Sequence, residues 1–172
     1  MARGLPTSAR LRVDAADPIG RIEAIQVRPA HRAAVVGVSE WDLASGADHG
    51  TSDKRAVTLI QAEHLPAVSQ LLGRPADSEP SSRDLFAGTR RNLLVSRLNL
   101  SACHGRQLAV GEVVLELTVR CHPCRRMDEA FGVGGFAALF GHGGWCARIV
   151  KTGVIRVGDP VRLADVSQQR LF

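Results

Sequence analysis

Two thiols, one imidazole and two guanidinium groups occur within six residues of this chain, in the run Cys-His-Pro-Cys-Arg-Arg at positions 121–126. A cysteine beside fixed positive charge ionises more readily than an ordinary thiol, and the thiolate is the form that attacks electrophiles and binds metals. The run directly follows the clearest strand pattern of the sequence, so we expect a sheet to hold it in place. We therefore predict that the chemistry of the protein is centred here.

The spacing Cys121-x-x-Cys124 is compatible with several kinds of site. It is half of a zinc site if two more ligands lie nearby, although the chain has no second C-x-x-C and no H-x-x-x-H motif. The further ligands would have to come from Cys103, His104, His142 and Cys146. It is a redox pair if the fold is thioredoxin-like, but the required βαβ pattern is missing. Two interpretations remain: one reactive or ligating cysteine with a coincidental neighbour, or two thiols that are merely buried.

Two further polar segments are candidate binding sites. The loop 48–55 contains His49 and Lys54 and enters a predicted strand, so it is either a binding loop or a solvated turn. Arg90 and Arg91 begin another predicted strand, where neighbouring side chains point to opposite faces. One of these arginines could therefore reach inward as an anion clamp.

The positioning elements are mostly strands. The best of them follows a turn at Gly111-Glu112, where Val113, Leu115, Leu117 and Val119 alternate with more polar residues at period two. Similar patterns predict strands at 21–28, 33–38, 55–60, 92–95, 145–151, 154–157 and 161–163. Helix is expected at 62–72 and, interrupted by glycines, at 127–140, whereas 41–52 and 74–90 are expected to be loops. We predict a mainly β, barrel-like fold with two or three short helices.

Composition narrows the possible functions. The chain has 172 residues, of which 45% are hydrophobic and 23% charged, as expected for one globular domain. The net charge is +5, carried almost entirely by arginine, which reflects either recognition of anions or GC-rich coding. No basic run is interleaved with aromatics and no apolar stretch approaches a membrane span, so we expect neither a nucleic-acid nor a membrane partner. Without a secretory signal, a cytoplasmic location with reduced cysteines is predicted.

Taken in order, the motifs resemble those of the MOSC family, named for the C-terminal domain of molybdenum cofactor sulfurase. The first half of the resemblance consists of His49-Gly50, Asp53-x-Arg55-Ala56-Val57 and Arg91-Asn92-Leu93. The second half consists of Gly111 before a long strand, Pro123-Cys124 after it, and Gly153-x-Ile155-x-x-Gly158-Asp159-x-Val161. The single-domain bacterial members are the most similar. The resemblance predicts a flexible segment 1–20, a MOSC domain 21–165 and a tail 166–172.

The family resemblance implies a β-barrel-like domain that binds the molybdenum cofactor, molybdopterin, without pyridoxal phosphate. The family's invariant cysteine falls on Cys124, which follows Pro123. In reductases of N-hydroxylated compounds that cysteine is thought to coordinate molybdenum, and in sulfurase-type members it is proposed to carry sulfur as a persulfide. Cys121 matches no family cysteine, so it hints at a redox or sulfur-relay role.

The expected cofactor contacts combine the family motifs with residues near Cys124. The cofactor-binding residues predicted in this way are His49, Gly50, Asp53, Lys54, Arg91, Asn92, Arg125 and Arg126. Thiolate is a soft ligand suited to molybdenum, and arginine forks suit the cofactor phosphate. The family often has glycine where this chain has Arg97, so a positive φ at that position would be strained.

The expected partners follow from the same reasoning. A reductase of this size would need a small-molecule substrate and an electron-donating protein, and a sulfur carrier would need a sulfur-donor protein. A non-catalytic β-module that binds zinc or another protein remains the alternative from a different class, as does a cofactor carrier without turnover.

Overall fold

The structure, a computed structural model, describes residues 20–30, 33–43, 54–74 and 82–164, without the side chains of 82 and 83. These parts contain ten strands, four short α-helices and one 3-10 helix. The strands are β1 Gly20–Val27, β2 Val36–Val38, β3 Glu40–Asp42, β4 Val57–Gln61, β5 Leu93–Ser96, β6 Gln107–Val110, β7 Val113–Arg120, β8 Trp145–Lys151, β9 Val154–Arg156 and β10 Pro160–Leu163. The helices are α1 His64–Leu71, α2 Ser82–Thr89, α3 Arg126–Phe131 and α4 Gly135–Leu139, with the 3-10 helix at Leu100–Cys103.

Seven of the described strands close a barrel in the order β10, β6, β7, β8, β4, β5, β1, with β1 pairing again with β10. Neighbours in the barrel run antiparallel, except that β4 and β5 are parallel. Strand β2 extends the sheet from β1, while β3 and β9 form a separate two-stranded ribbon. The predicted mainly β, barrel-like fold is confirmed.

The interior of the barrel is filled by one face of each strand. In β7 the side chains of Val113, Leu115 and Leu117 are fully buried, as the period-two pattern predicts. Val119 departs from the pattern, because the register with β8 shifts between Leu117 and Arg120 and leaves Val119 exposed. The irregular end of β7 lies directly before the cysteine segment.

A second apolar core lies between the sheet and the helices. Ile60 of β4 and Leu94 of β5 belong to it, whereas their neighbours Leu59 and Leu93 belong to the barrel core. Helices α1 to α4 contribute the remaining members, which are Leu65, Val68, Leu85, Phe86, Met127, Phe131, Ala138 and Leu139. Burial on both faces explains why β4 and β5 are almost continuously apolar.

Two expectations about local structure were wrong. The predicted loop 74–90 contains α2, whose Leu85 and Phe86 pack into the second core. The predicted loop 41–52 begins with β3, which pairs with β9. The described helices are four short ones, since α2 adds to α1 and the glycine-interrupted segment 127–140 contains both α3 and α4.

The terminal segments 1–19 and 165–172 lie outside the described residues, so the predicted domain boundaries stay predictions. Over the part of the chain that is described, none of the helices combines the length and the apolar character needed to span a membrane.

Candidate functional site

A cavity of about 500 Å³ opens at one end of the barrel. It lies where the carboxyl ends of β1 and β7 meet the amino ends of β4, β5 and β8. The residues that line it are Arg28, Arg55, Ala56, Thr58, Arg90, Arg91, Asn92, Arg120, Cys121, His122, Pro123, Cys124, Met127 and Cys146. Residues far apart in sequence therefore converge because the sheet closes on itself.

The described lining of the cavity is strongly basic. It contains five arginines and no aspartate or glutamate. Burial lowers the pKa of Arg90, and the charges of Arg28 and Arg126 lower it further. Arg90 also has a positive φ of 59° and donates a hydrogen bond to the Ala33 carbonyl over 3.3 Å. An anion bound among these guanidinium groups would relieve their mutual repulsion.

Arg91 holds the cysteine segment to the barrel. Only 7% of this residue is exposed. Its Nε donates to the Gly143 carbonyl at 2.7 Å, and its Nη2 donates to the carbonyls of Cys121 and His122 at 3.2 and 3.4 Å. The recorded side-chain hydrogen bonds of Arg91 all go to backbone carbonyls, so this arginine acts as a positioning residue here, and its predicted contact with a cofactor stays a prediction.

Asn92 joins three strands at the inner end of the cavity. Its Oδ1 accepts hydrogen bonds from the backbone N–H and the hydroxyl of Thr58, at 3.0 and 2.9 Å. Its Nδ2 donates to the Gln26 carbonyl of β1 at 3.3 Å. Asn92 therefore fixes β1, β4 and β5 relative to one another, and its predicted cofactor contact is untested.

Three cysteines line the cavity, and each has a different environment. Cys124 is exposed at the start of the segment leading into α3, while Cys146 of β8 is only 2% exposed. Cys121 is half-buried, and its thiol is close enough to that of Cys146 for hydrogen bonding between them to affect the pKa of both. This bond and the nearby Arg91, Arg55 and Arg28 outweigh burial and lower the pKa of Cys121 to about 6. The same bond, together with burial, raises the pKa of Cys146.

The segment that carries Cys124 is anchored on both sides. Pro123 before it is buried, and Met127 after it is 1% exposed in the second core. The Met127 N–H donates to the Cys124 carbonyl over 2.8 Å, which forms the turn into α3. Cys124 thus presents its thiol from a fixed backbone.

The remaining predicted site residues lie outside the described cavity lining. His49, Gly50 and Asp53 lie outside the described residues. Lys54 is exposed, and its carbonyl accepts a hydrogen bond from Thr118. Arg125 is exposed at the beginning of α3, and Arg126 is close enough to Arg90 to affect its pKa. Neither Lys54 nor these two arginines is part of the described cavity lining.

Sequence reasoning did not select Arg28, Thr58 and Arg120, which the closed barrel brings to the cavity, and it considered Cys146 there only as a possible zinc ligand. Arg28 and Arg120 each stand at the carboxyl end of an alternating strand, which is a weak signal that many solvated arginines share. Arg120 lies 5.0 Å from the centroid of the Trp145 ring, on which His104 also stacks. His142 packs edge-on against His64, away from the described cavity lining.

Comparisons with known proteins identify the class to which this small closed barrel belongs. The model of the MOSC domain family matches residues 46–162. A search of curated proteins found no match. The chain belongs to the MOSC family.

Solved structures with the same fold have little sequence identity to this chain. The YuaD protein from Bacillus subtilis superposes with a TM-score of 0.68 at 13% identity, covering 83% of this chain and 93% of that one. YiiM from Geobacillus stearothermophilus has a TM-score of 0.67 at 19% identity, covering 85% and 75%. YiiM from Escherichia coli has a TM-score of 0.61 at 20% identity, covering 84% and 70%. These similarities show the fold.

Proposed function

We propose that this protein binds a molybdenum cofactor in the basic cavity through Cys124 and reduces small N-hydroxylated compounds. The observation that carries the proposal is the position of the Cys124 thiol, exposed in the lining of a cavity that five arginines share. The family membership and the predicted match of Cys124 to the family's invariant cysteine support the same conclusion.

The residues present fit such a cofactor. Molybdenum favours soft sulfur ligands, and the exposed Cys124 thiol supplies one. A pterin phosphate requires positive charge, which Arg28, Arg55 and Arg90 provide in the segments next to β1, β4 and β5. The volume of about 500 Å³ is in the range usual for small-molecule and cofactor sites.

Zinc fits the described residues less well. Among them, no group of three His, Cys, Asp or Glu side chains is arranged to hold a metal ion. Structural zinc is almost always bound by four such side chains, whereas a metal delivered within a cofactor needs fewer protein ligands. The donor set therefore favours a cofactor-borne metal over the zinc-binding alternative.

The chain's own residues would divide the work as follows. Cys124 would ligate the metal. Arg28, Arg55 and Arg90 would hold the phosphate, and Arg91 would keep the cysteine segment in place. When bound, the molybdenum centre supplies two-electron redox chemistry. Reduction of an N-hydroxylated compound consumes two electrons and two protons and releases the reduced nitrogen compound and water. The electrons would come from a separate redox protein, and we place this reaction in the cytoplasm.

Sulfur transfer is a second candidate that one observation favours. Because Cys124 is exposed at the cavity opening, a sulfur-donor protein could reach its thiol and leave a persulfide there. The two candidates differ in the role of Cys124. In the first its thiol binds molybdenum, and in the second it carries sulfane sulfur as a persulfide.

The decisive experiment is to purify the protein from a host that makes the cofactor and to measure molybdenum, pterin and zinc. We expect molybdenum and pterin near one per chain in the wild type, and loss of molybdenum in Cys124→Ser. Cys103→Ala is the matched control, because Cys103 is buried in the barrel core and bonds the Asn99 carbonyl. Molybdenum should be retained in that variant.

Three other outcomes would contradict the proposal. Zinc bound equally through Cys121 and Cys124 would indicate the zinc-binding module. Sulfane sulfur on Cys124 without molybdenum would indicate the sulfur carrier. Molybdenum and pterin that persist in Cys124→Ser would show that this thiol is not the ligand.

A further inference from the structure

We propose that Cys121 and Cys146 form a reversible disulfide in the wall of the basic cavity when the protein reacts with a hydroperoxide. The pair would be a redox site separate from Cys124. It does not depend on cofactor binding, because the chain itself holds both thiols: Cys121 directly follows β7, and Cys146 lies in the neighbouring strand β8.

The backbone places the two thiols side by side. Cys121 follows the last residue of β7, and its N–H donates to the Gly144 carbonyl at 2.9 Å, just before β8 begins. Cys146 is the second residue of β8, and its carbonyl accepts a hydrogen bond of 3.1 Å from the Thr118 hydroxyl of β7. The register shift between Leu117 and Arg120 changes the pairing of these strand ends. Both cysteines line the same cavity, and their thiols are close enough for each to shift the pKa of the other.

The two thiols have complementary properties. Cys121 is the more accessible of the two, lines the cavity and is surrounded by Arg91, Arg55 and Arg28, so it is the thiolate that meets an oxidant. Cys146 is almost fully buried, and its pKa is raised by the neighbouring Cys121 and by burial, so it keeps its proton. Cys121 is thus suited to be oxidised first, and Cys146 is suited to resolve the product.

The chemistry balances with a hydroperoxide as the oxidant. The Cys121 sulfur attacks a peroxide oxygen, the O–O bond breaks, and the departing oxygen takes a proton from solvent, leaving a sulfenic acid on Cys121. The Cys146 sulfur then attacks the sulfenic sulfur, the S–O bond breaks, and the proton of Cys146 leaves with the hydroxyl group as water. Two thiols lose two electrons in total, and one hydrogen peroxide becomes two waters.

Cys124 is the competing partner, because it is only three residues from Cys121. However, Cys124 lies in the turn into α3, where the Met127 N–H donates to its carbonyl and its thiol is exposed. Cys146 lies in β8, which pairs with the end of β7 that Cys121 follows. Cys103 is buried in the barrel core with its own partner, the Asn99 carbonyl. The geometry therefore favours the cross-strand pair over the C-x-x-C pair.

Tryptic mapping distinguishes these possibilities. Cleavage after Arg120 and Arg125 leaves Cys121 and Cys124 on one short peptide, and Cys146 lies on another that ends at Arg148. The full-length protein is treated with hydrogen peroxide, alkylated and digested without reductant. We expect the two peptides to be cross-linked, two of the four thiols to be lost, and dithiothreitol to restore both. The cross-link should persist in Cys124→Ser and disappear in Cys121→Ser.

A second measurement tests the order of events. In Cys146→Ser the sulfenic acid on Cys121 has no resolving thiol, so dimedone should label Cys121 several-fold more than in the wild type. If that variant does not fold, the cross-link map of the wild type and of Cys124→Ser still decides the matter. A disulfide within the short peptide, or a cross-link lost in Cys124→Ser, would overturn the proposal, as would four thiols that remain free. None of these readouts depends on molybdenum, so this proposal and the proposed function can fail independently.

Discussion

At the scale of single residues, the site depends on one buried arginine and one thiol pair. Arg91 donates hydrogen bonds to the carbonyls of Cys121, His122 and Gly143, so it holds the cysteine segment and the turn before β8 in place. Cys121 and Cys146 share one hydrogen bond, which makes their two protonation states interdependent. The two thiols must therefore be tested together.

The pH dependence of Cys121 is the first prediction at this scale. With its pKa lowered from 9.0 to about 6, Cys121 should be alkylated by iodoacetamide with a midpoint near pH 6. Because folding lowers the pKa of Cys121, the thiolate stabilises the folded protein at high pH. This contribution is lost as the pH falls through about 6. Peptide mass spectrometry in a Cys124→Ser background isolates Cys121 from its neighbour.

Cys146→Ala provides the comparison for this measurement. It removes the hydrogen bond that is the largest cause of the shift, so the midpoint for Cys121 should move upward. An unchanged midpoint in Cys146→Ala would show that the arginines alone lower the pKa.

At the scale of elements, the turn between α4 and β8 supports the cysteine segment. A Cβ atom added at Gly143 would lie 2.3 Å from the Cys121 carbonyl oxygen and 3.3 Å from Nη2 of Arg91. Backbone cannot yield as a flexible side chain can, so Gly143→Ala should lower the free energy of unfolding by about 1–3 kcal/mol. Urea denaturation measures this loss.

Gly37→Ala is the matched control for this prediction. A Cβ at Gly37, in β2, would have only the Ile25 carbonyl oxygen at 4.0 Å. Its effect should stay within about 0.5 kcal/mol, as for other open surface positions. Equal losses in the two variants would mean that the Gly143 contact is not the cause.

The elements also show which features a sequence can reveal. The alternation in β7 predicted its buried face correctly up to Leu117, because period two is local information. Arg97 indeed has a positive φ of 60°, and its N–H bonds Glu63 at 2.6 Å, so the departure from glycine falls on a strained position. Helix α2 was missed, because its Leu85 and Phe86 are stabilised by packing against distant elements.

The composition of the cavity could be predicted only in part. Cys124 and Arg91 belong to local motifs, and both are in the lining. Arg28, Arg120 and Cys146 reach the cavity only because the barrel closes with a particular register, which no local pattern encodes. The predicted loop residues His49, Gly50 and Asp53 lie outside the described parts of the chain.

At the scale of the whole molecule, the chain has a net charge of +5, and part of its positive charge is concentrated at one cavity. Because five arginines line one cavity, a multivalent anion should bind there and stabilise the folded state by mass action. Inorganic pyrophosphate at about 100 times its dissociation constant would add about 2.7 kcal/mol. We expect the melting temperature to rise by several degrees relative to sodium chloride of equal ionic strength.

Charge-neutral variants show where the anion binds. Arg28→Gln and Arg90→Gln should each reduce the rise in melting temperature, because both arginines line the cavity. Arg148→Gln is the control, since Arg148 pairs with Glu116 at 2.7 Å on an exposed part of the sheet. A rise that is lost equally in all three variants would indicate general screening of surface charge.

The closure of the barrel has a consequence for how the chain folds. Strand β1 meets β10 in only two residue pairs, Gly20 with Val161 and Arg21 with Pro160. These partners come from opposite ends of the described chain, so their pairing has the largest loop-closure entropy of any strand contact in the barrel. Local hairpins such as β6–β7 can form early, whereas this join should form last and open first.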